Sequence, residues 1–397
     1  MAGVELFENK PILEASDSKK LAEAVANYGS DIKPPYVVRI PRKTKALKRK
    51  AFLQDESIGV VLMHNAINSI GESAFQGCSN LTEIHLPDSV AEIGASTFYA
   101  CEKLKDIHLP DGLKEIKEST FWGCKSLTGI RIPDSVKKIG ASAFEVCWSI
   151  KSLQIPESVI QIDRSAFRTC EKLESINIPE SLTEIDDCVF MNCCKLVEIR
   201  IPESVNRLGY SAFYNCSSLR SIYIPKSVCS IENCVFEHCP NLSSIRISPE
   251  NTHYDSREDC NAVIDTSSDS LLYGCMNTVI PDSVVAIKNG AFTGCTELAA
   301  IKISSSVKTI DCWAFHGCTG LAKVDISDSV NRIRGWAFCS CKNLKAIVIP
   351  DSVEELGENV FKGCDNLKEI YIKRPELLDN TGIGADVNIN NSIRCQR

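Results

Sequence analysis

The sequence predicts an α/β solenoid in which coils of 23 residues stack on one another and share a parallel β-sheet along one side. Three observations predict this fold. An Ile-Pro pair recurs at a step of 23 residues, a Phe stands eleven positions after the Pro, and a Cys stands fourteen positions after it. The 397 residues are therefore expected to form one repeat array, because an internal period overrides a domain count based on length.

The residue in the Pro slot marks the start of each repeat. One interval in the series is 33 residues long instead of 23, and the series gives about 14 units. The markers are Pro41, His64, Pro87, Pro110, Pro133, Pro156, Pro179, Pro202, Pro225, Ser248, Pro281, Ser304, Ser327, Pro350 and Lys373.

Each unit ends in the pattern "CxxLxxIxI", whose alternating apolar residues predict a short strand. A unit has few apolar side chains, each worth roughly 2 kcal/mol on burial, against an ordering cost of about 1.5 kcal/mol per residue. A single unit therefore cannot fold alone, whereas stacked units cover each other's open faces. We expect the Phe and Cys positions to form two inward ladders and the strands to form a parallel sheet.

Cysteine is abundant, with 21 residues in the chain. Equivalent side chains in a stack point in parallel, whereas a disulfide needs Cβ vectors that turn toward each other. The ladder cysteines are therefore expected to be free buried thiols, which fits a reducing or anaerobic setting. The chain contains no C-x-x-C pattern, so a structural zinc site has little support.

The two ends of the array are predicted to be caps. Residues 1–37 form the first, with a helix capped by Asp17 or Ser18, with Leu21, Val25 and Tyr28 on one face, and stopped by Gly29. Residues 38–372 form the repeat array, and residues 373–397 break the period and are expected to close the other end.

The 33-residue unit, residues 248–280, departs from the repeat. Its "AVID" and "SLLY" segments flank the polar "TSSD", which predicts a β-hairpin. We expect this hairpin to protrude from the stack. It is interpreted either as a tolerated insertion or as a contact for a partner or a second copy.

Composition and motifs exclude several classes of function. The formal charge of -7 argues against non-specific nucleic-acid binding as the main role, no apolar run is long enough for a spanning helix, and the first residues lack the pattern expected of a secretory signal. A basic run at residues 39–50 keeps the repeat register and is interpreted as a solvated face. No catalytic or phosphate-binding motif is present, so we expect neither an enzyme nor a cofactor.

The unit "IPDSVxxIGxxAFxxCxxLxxIxI" resembles the BspA-like leucine-rich repeats, also called the Treponema pallidum type, over residues 38–372. The resemblance implies a curved leucine-rich repeat fold with the strands on its concave side. It also implies a non-enzymatic surface or secreted protein that adheres to a protein ligand, such as a host or matrix protein. Because the first residues do not show the pattern expected of a secretory signal, a second hypothesis stays open, an intracellular scaffold or regulator. The sequence does not predict the oligomeric state.

In such a repeat, the strand residues between the buried positions face outward on the concave sheet. This row is polar and mildly basic, so we expect it to bind an acidic or extended protein segment. The alternative is an ordinary solvated sheet face. The predicted ligand-binding residues are His85, His108, Arg131, Gln154, Asn177, Arg200, Tyr223, Arg246, Lys302 and Tyr371.

Two further groups of polar residues are notable. Glu83, His85, Asp106 and His108 lie on adjacent predicted strands, and their side-chain types could hold a divalent metal, but duplication of a repeat is the favoured explanation and no metal site is predicted. An acidic row directly follows the marker Pro and is expected to be a solvated turn edge. It comprises Asp88, Asp111, Asp134, Glu157, Glu180, Glu203, Asp282, Asp328 and Asp351, with Lys226 at one position.

Overall fold

The structure, a computed structural model, describes residues 6–7, 10–28, 32–384 and 386–390. The chain divides into two compact units. Unit 1 contains residues 1–204 and 208–213, and unit 2 contains residues 205–207 and 214–397. Within each unit, short parallel strands pair with partners 23 residues away, as Glu115 does with Lys138 and Thr309 with Arg332. The predicted parallel solenoid is confirmed.

A helix at Ser18–Tyr28 precedes the repeats. The Asp17 carboxylate accepts a hydrogen bond from the Lys20 backbone N–H at 2.9 Å, so Asp17 is the N-cap. Leu21 is buried as predicted, but Tyr28 is 41% exposed, so the predicted apolar face is wrong at this position. Tyr28 is the last helical residue, one full turn beyond the half-buried Val25. The predicted stop at Gly29 lies outside the described residues.

The helices of the described residues give no sign of a membrane span, because none of them combines the necessary length and apolar character.

Most of the "LxxIxI" segments of unit 1 form parallel strands as predicted, whereas segment 196–201 forms no strand. In the pair Asp106–His108 and Gly129–Arg131, Ile107 lies opposite Ile130, so apolar residues meet on the core side. The strands of this side are Leu6–Phe7, Lys10–Glu14, Tyr36–Arg39, Ile58–Leu62, Glu83–His85, Asp106–His108, Gly129–Arg131, Ser152–Leu153 and Ser175–Ile176.

A second series of two-residue parallel strands was not predicted. It comes from the "SVxxI" part of the repeat and places its Ile toward the core, as Ile139 and Ile162 show. In unit 1 these strands are Ala46–Leu47, Ser69–Ile70, Glu92–Ile93, Glu115–Ile116, Lys138–Ile139, Gln161–Ile162 and Glu184–Ile185. A further strand, Arg207–Leu208, includes residues of both units.

Unit 2 repeats both series. Its "LxxIxI" strands are Ser221–Ile224, Ser244–Ile247, Ala300–Lys302, Lys323–Asp325, Ala346–Val348 and Glu369–Tyr371, and Asn388–Asn390 pairs with the last of them. Its other parallel strands are Ser230–Ile231, Ala286–Ile287, Thr309–Ile310, Arg332–Ile333 and Glu355–Leu356. Two short 3₁₀ helices lie at Arg257–Asp259 and Pro375–Leu378.

The predicted Phe and Cys ladders fill the core of each unit. Phe98 and Phe121 stack with ring centroids 5.5 Å apart, and Phe315 and Phe338 do so at 5.2 Å. The ladder thiols have a role beyond packing. Cys124 Sγ donates to the backbone carbonyl of Phe98 at 3.1 Å, which joins one coil to the coil before it.

The turn that carries each Phe is held by residues in the left-handed region. Ser73 and Gly77, at two positions either side of Phe75, have φ values of 56° and 75°. The backbone N–H of Phe75 donates to the carbonyl of Thr97 in the next coil at 2.9 Å. These turns therefore continue the coil-to-coil hydrogen bonding where neither strand series reaches.

The hairpin of the 33-residue unit is confirmed, with antiparallel strands Ala262–Asp265 and Ser270–Gly274. The prediction that it protrudes is wrong. Its second strand pairs in parallel with Ala286–Ile287, and Val263 and Leu271 are fully buried. The hairpin is part of the stack because its apolar side chains continue the core, and a third strand, Tyr254–Asp255, covers its other edge.

Candidate functional site

Most of the predicted ligand-binding residues lie on the outward side of their strands or directly beside them, and Arg200 holds the equivalent repeat position in segment 196–201, where no strand forms. Between buried Ile107 and Leu109, for example, His108 is exposed. Asn177 and Tyr371 are half-buried, and the other eight residues of the row are exposed. The alternation of the repeat therefore identified the outward positions correctly, but the residues differ in what they contact.

Two of these residues are engaged by their own surroundings. The side-chain amide of Asn177 donates to the carbonyl of Ile155 at 2.8 Å and accepts from its N–H at 2.7 Å, so it extends the backbone pairing. The hydroxyl of Tyr371 donates to the carboxylate of Glu369.

Basic residues of the row reach the acidic turn edge of the preceding coil. Arg131 donates to Asp111 at 2.7 Å, Arg200 pairs with Glu180, and His108 lies 3.7 Å from Asp88. The hydrogen bond from Arg131 lowers the pKa of the Asp111 carboxyl. Local carboxylates therefore neutralise the cations of this part of the face.

The four residues considered as a metal site are used differently. His85 Nε2 lies 2.5 Å from the Glu83 carboxylate, whereas His108 turns toward Asp88. Within the described residues, no group of three or more His, Cys, Asp or Glu side chains is arranged to hold a metal ion.

Tyr223 and Arg246 are neighbouring exposed residues of the row in unit 2. They are register partners on the parallel strands Ser221–Ile224 and Ser244–Ile247. Neither side chain has a hydrogen-bond or ion-pair partner in the described part of the chain, and Tyr223 is 45% exposed. At the position 20 residues before it, where Arg131 and Arg200 have an acidic partner, Arg246 has Lys226. Lys226 pairs with Glu250 at 2.7 Å.

A pocket of about 450 Å³ opens beside this pair. One wall is the outward face of the two strands, and the other is the irregular segment 256–261 of the 33-residue unit. The lining residues are Tyr223, Ile245, Arg246, Ile247, Pro249, Ser256, Asp259 and Asn261. The pocket therefore offers one unpaired cation, a phenol, several polar groups and an apolar floor.

The irregular wall has an unusual backbone. Glu258, Asp259 and Asn261 have φ values of 59°, 50° and 54°, in the left-handed region that few residues adopt. Arg257 holds the segment by donating to Asp255 at 2.9 Å and to Asp269 at 2.7 Å. Such conformations cluster at functional sites, where the surrounding structure must fix them.

Comparison with known proteins identifies the family. The profile described as the BspA type leucine rich repeat region (6 copies) matches residues 45–173, 137–260 and 268–385. The chain belongs to the BspA-type leucine-rich repeat family. This agrees with the resemblance in the repeat unit.

Two solved leucine-rich repeat structures are similar to this chain. A leucine rich cell surface protein from Faecalibacterium prausnitzii A2-165 is 29% identical, with a TM-score of 0.62, and the alignment covers 83% of this chain and 84% of that one. A leucine-rich repeat protein from Bacteroides ovatus ATCC 8483 is 27% identical, with a TM-score of 0.52 and coverage of 82% and 87%. No curated protein sequence matches this chain.

The sequence of this BspA-type chain placed Tyr223 and Arg246 on the outward row but did not predict that residues 256–261 form a wall beside them. Two signals could have located it. Lys226 interrupts the acidic row, which removes the acid that Arg131 and Arg200 have, and the 33-residue unit begins at Ser248, directly after the strand of Arg246.

Proposed function

We propose that this chain is a protein-binding module that takes an acidic segment of a protein ligand at the face formed by Tyr223, Arg246 and the segment 256–261. The family typically mediates protein interaction. The observation that carries the proposal is Arg246, an exposed guanidinium with no partner in the described residues, at the rim of a pocket. An unpaired cation beside an aromatic ring and an apolar floor suits a carboxylate side chain flanked by apolar atoms.

The electrostatics of the whole face favour this position. A ligand carboxylate that approached Arg131 or Arg200 would compete with Asp111 or Glu180, whereas at Arg246 it would meet no competing acid on the preceding coil. Asp259 lines the far side of the pocket and would repel a second ligand carboxylate there. We therefore expect the acidic group to bind at the Arg246 side and the adjoining ligand atoms to contact Tyr223.

Fluorescence anisotropy with a short labelled oligo-glutamate peptide tests the proposal. Arg246→Glu should weaken binding by roughly tenfold or more, which corresponds to about 1.4 kcal/mol. Arg131→Glu is the matched control, because it makes the same change at the same repeat position where the cation is already paired. Equal effects of the two variants, or no binding to the intact chain in low salt, would contradict the proposal.

The setting of this interaction has two candidates. The Faecalibacterium relative is described as a cell surface protein, which supports an adhesion role. Every cysteine that the structure describes is a free thiol, which supports a scaffold in a reducing compartment. Protease treatment of intact cells separates them, since it should remove an exposed adhesin and leave an internal scaffold unchanged.

A further inference from the structure

Two tryptophans stack on the Phe-bearing turns of unit 2. Trp313 and Trp336 have ring centroids 4.9 Å apart and planes 6° apart. Both have left-handed backbones, with φ of 61° and 63°, at a position that holds Ser142 or Asn359 in other turns. A bulky residue with positive φ is uncommon and costly, and Trp313 remains 38% exposed. Such an outlier on the surface motivates a search for a function.

One end of this stack already holds a cation. Lys362 Nζ lies 5.0 Å above the centroid of the Trp336 ring. The negative face of an indole ring attracts an ammonium group electrostatically, and Trp does so best among the aromatic side chains. The chain therefore supplies its own cation at the Trp336 end.

At the other end of the stack, the face of Trp313 is not covered by the equivalent residue. The two rings stack in the direction in which the coils stack, so the second face of Trp313 points toward the preceding turn. The equivalent residue there is Gly290, which has no side chain and a φ of 68°. His316 packs against Trp313 in a T-shaped contact, with ring centroids 4.9 Å apart and an interplanar angle of 77°. We refer to the side of Trp313 that faces Gly290 as its open face, because no side chain of the equivalent residue covers it.

A carboxylate occupies the space above Gly290. A Cβ atom on Gly290 would lie 2.2 Å from Glu237 Oε1 and 3.4 Å from Thr293 Oγ1. The Thr293 hydroxyl also donates to the backbone carbonyl of Trp313 at 2.9 Å, which fixes this part of the turn. Glu237 therefore lies where a side chain on Gly290 would stand, on the side toward which the second face of Trp313 points.

Glu237 has no cationic partner within the described residues. Its side chain interacts with the Cys234 thiol, and burial raises the pKa of its carboxyl. By contrast, Glu145, at the same repeat position in unit 1, lies 3.4 Å from Arg168. A half-buried carboxylate is costly without a countercharge, so this position favours a cation from outside the chain.

We propose that Glu237 and the open face of Trp313 form a binding site for an organic ammonium ion. The ammonium charge would pair with Glu237, and its methyl or methylene groups would contact the indole face. This arrangement mirrors the contact of Lys362 with Trp336, with the cation supplied by a ligand instead of the chain. The site lies on the Phe-bearing turns and is independent of the pocket at Arg246.

Tryptophan fluorescence of the full chain tests this site. The chain has 4 Trp, so Trp122→Phe with Trp148→Phe leaves Trp313 and Trp336 as the only reporters. Titration with tetramethylammonium chloride, or with Nα-acetyl-lysine amide as a primary ammonium, should change the fluorescence saturably in the millimolar range. Sodium chloride at equal ionic strength and tert-butanol, a neutral molecule of similar shape, should not.

The variant Glu237→Gln should weaken this binding by roughly tenfold, since it removes the charge and keeps the shape. Glu145→Gln is the matched control and should leave it unchanged. Proton NMR line broadening of tetramethylammonium with the unsubstituted chain gives a second readout, should the tryptophan variants fail to fold. Non-saturable changes with both ammonium ions, or equal binding by Glu237→Gln, would overturn the proposal.

Discussion

The guanidinium of Arg131 lies 2.7 Å from the carboxylate of Asp111, a residue 20 positions earlier on the neighbouring coil. Arg200 likewise pairs with Glu180, which also stands 20 positions earlier in the sequence. The residue at that separation from Arg246 is Lys226, so the outward face keeps an unpaired positive charge there. A single substitution in the turn row thus decides whether a basic strand residue is available to a ligand.

Lys226→Asp should neutralise Arg246 without changing any residue that lines the pocket. By analogy with Asp111, the new carboxylate should pair with the guanidinium and lower oligo-glutamate affinity by roughly threefold to tenfold. Lys226→Gln is the control, because it removes the pair with Glu250 but adds no acid. Anisotropy titrations compare the variants, and equal losses for both would show that Lys226 acts by another route.

Cys124→Val should reveal the contribution of the thiol hydrogen bond. Valine keeps the apolar volume but cannot donate to Phe98, so the free energy of unfolding should fall by about 0.5–1.5 kcal/mol. Cys229→Val removes a similar bond, to the carbonyl of Asn206, at an exposed position where water can replace it. Denaturant unfolding should show a smaller loss there, and a larger one would mean that burial is not what makes the bond matter.

Gly274→Ala should disrupt the junction between the hairpin and the next coil. Its new Cβ would lie 2.1 Å from the ring of Phe292, which is fully buried and unable to yield. We expect a loss of about 1–3 kcal/mol in unfolding free energy. Gly112→Ala, which meets nothing within 4 Å, should stay within about 0.5 kcal/mol of the parent. A tolerated Gly274→Ala would mean that the hairpin is not packed into the stack.

Acidification should destabilise the turns that carry His238 and His316. Burial lowers the pKa of both imidazoles, and the neighbouring His316 lowers that of His238 further. Their stabilisation is complete above the unfolded value of 6.5 and is lost as pH falls below it. The raised pKa of Glu237 acts in the opposite sense, because its carboxyl is more easily accommodated when protonated.

Thermal unfolding is measured at roughly pH 7.5 and pH 5.5, on either side of the ordinary pKa of histidine. The melting temperature should fall on acidification, and His238→Asn with His316→Asn should reduce that fall. The fall should be larger in Glu237→Gln, which lacks the compensating carboxyl. If the double histidine variant showed the same pH dependence as the parent, other groups would control acid stability.

Much of the fold could be predicted because the core residues recur at a constant spacing along the sequence. Phe98 and Phe121 are 23 residues apart in sequence and stack in the structure, and the outward position of His108 follows from strand alternation. The second strand series escaped prediction because strands of two residues give no alternation to detect. The left-handed backbones of Trp313 and Trp336 were also not predicted. Tryptophan does not favour this conformation, and the residues at this position in other turns are mostly small or polar.

The candidate sites could be predicted only in part. Tyr223 and Arg246 follow from strand alternation, which is a local property of the repeat. The position of Glu237 above Gly290 depends instead on how the 33-residue unit joins the stack. The backbone N–H of His238, before this unit, donates directly to the carbonyl of Thr293, after it. Contacts across an insertion cannot be inferred from a period that the insertion breaks.

The buried thiols of the Cys ladder can report local opening of the coils. Burial raises the pKa of Cys78 and of Cys170 to about 12, so neither is an appreciable nucleophile while its coil is closed. An alkylating reagent can therefore reach each sulfur only when two coils separate. Mass spectrometry of labelled peptides would give a separate opening rate at successive coils, and so a profile of where the array first comes apart.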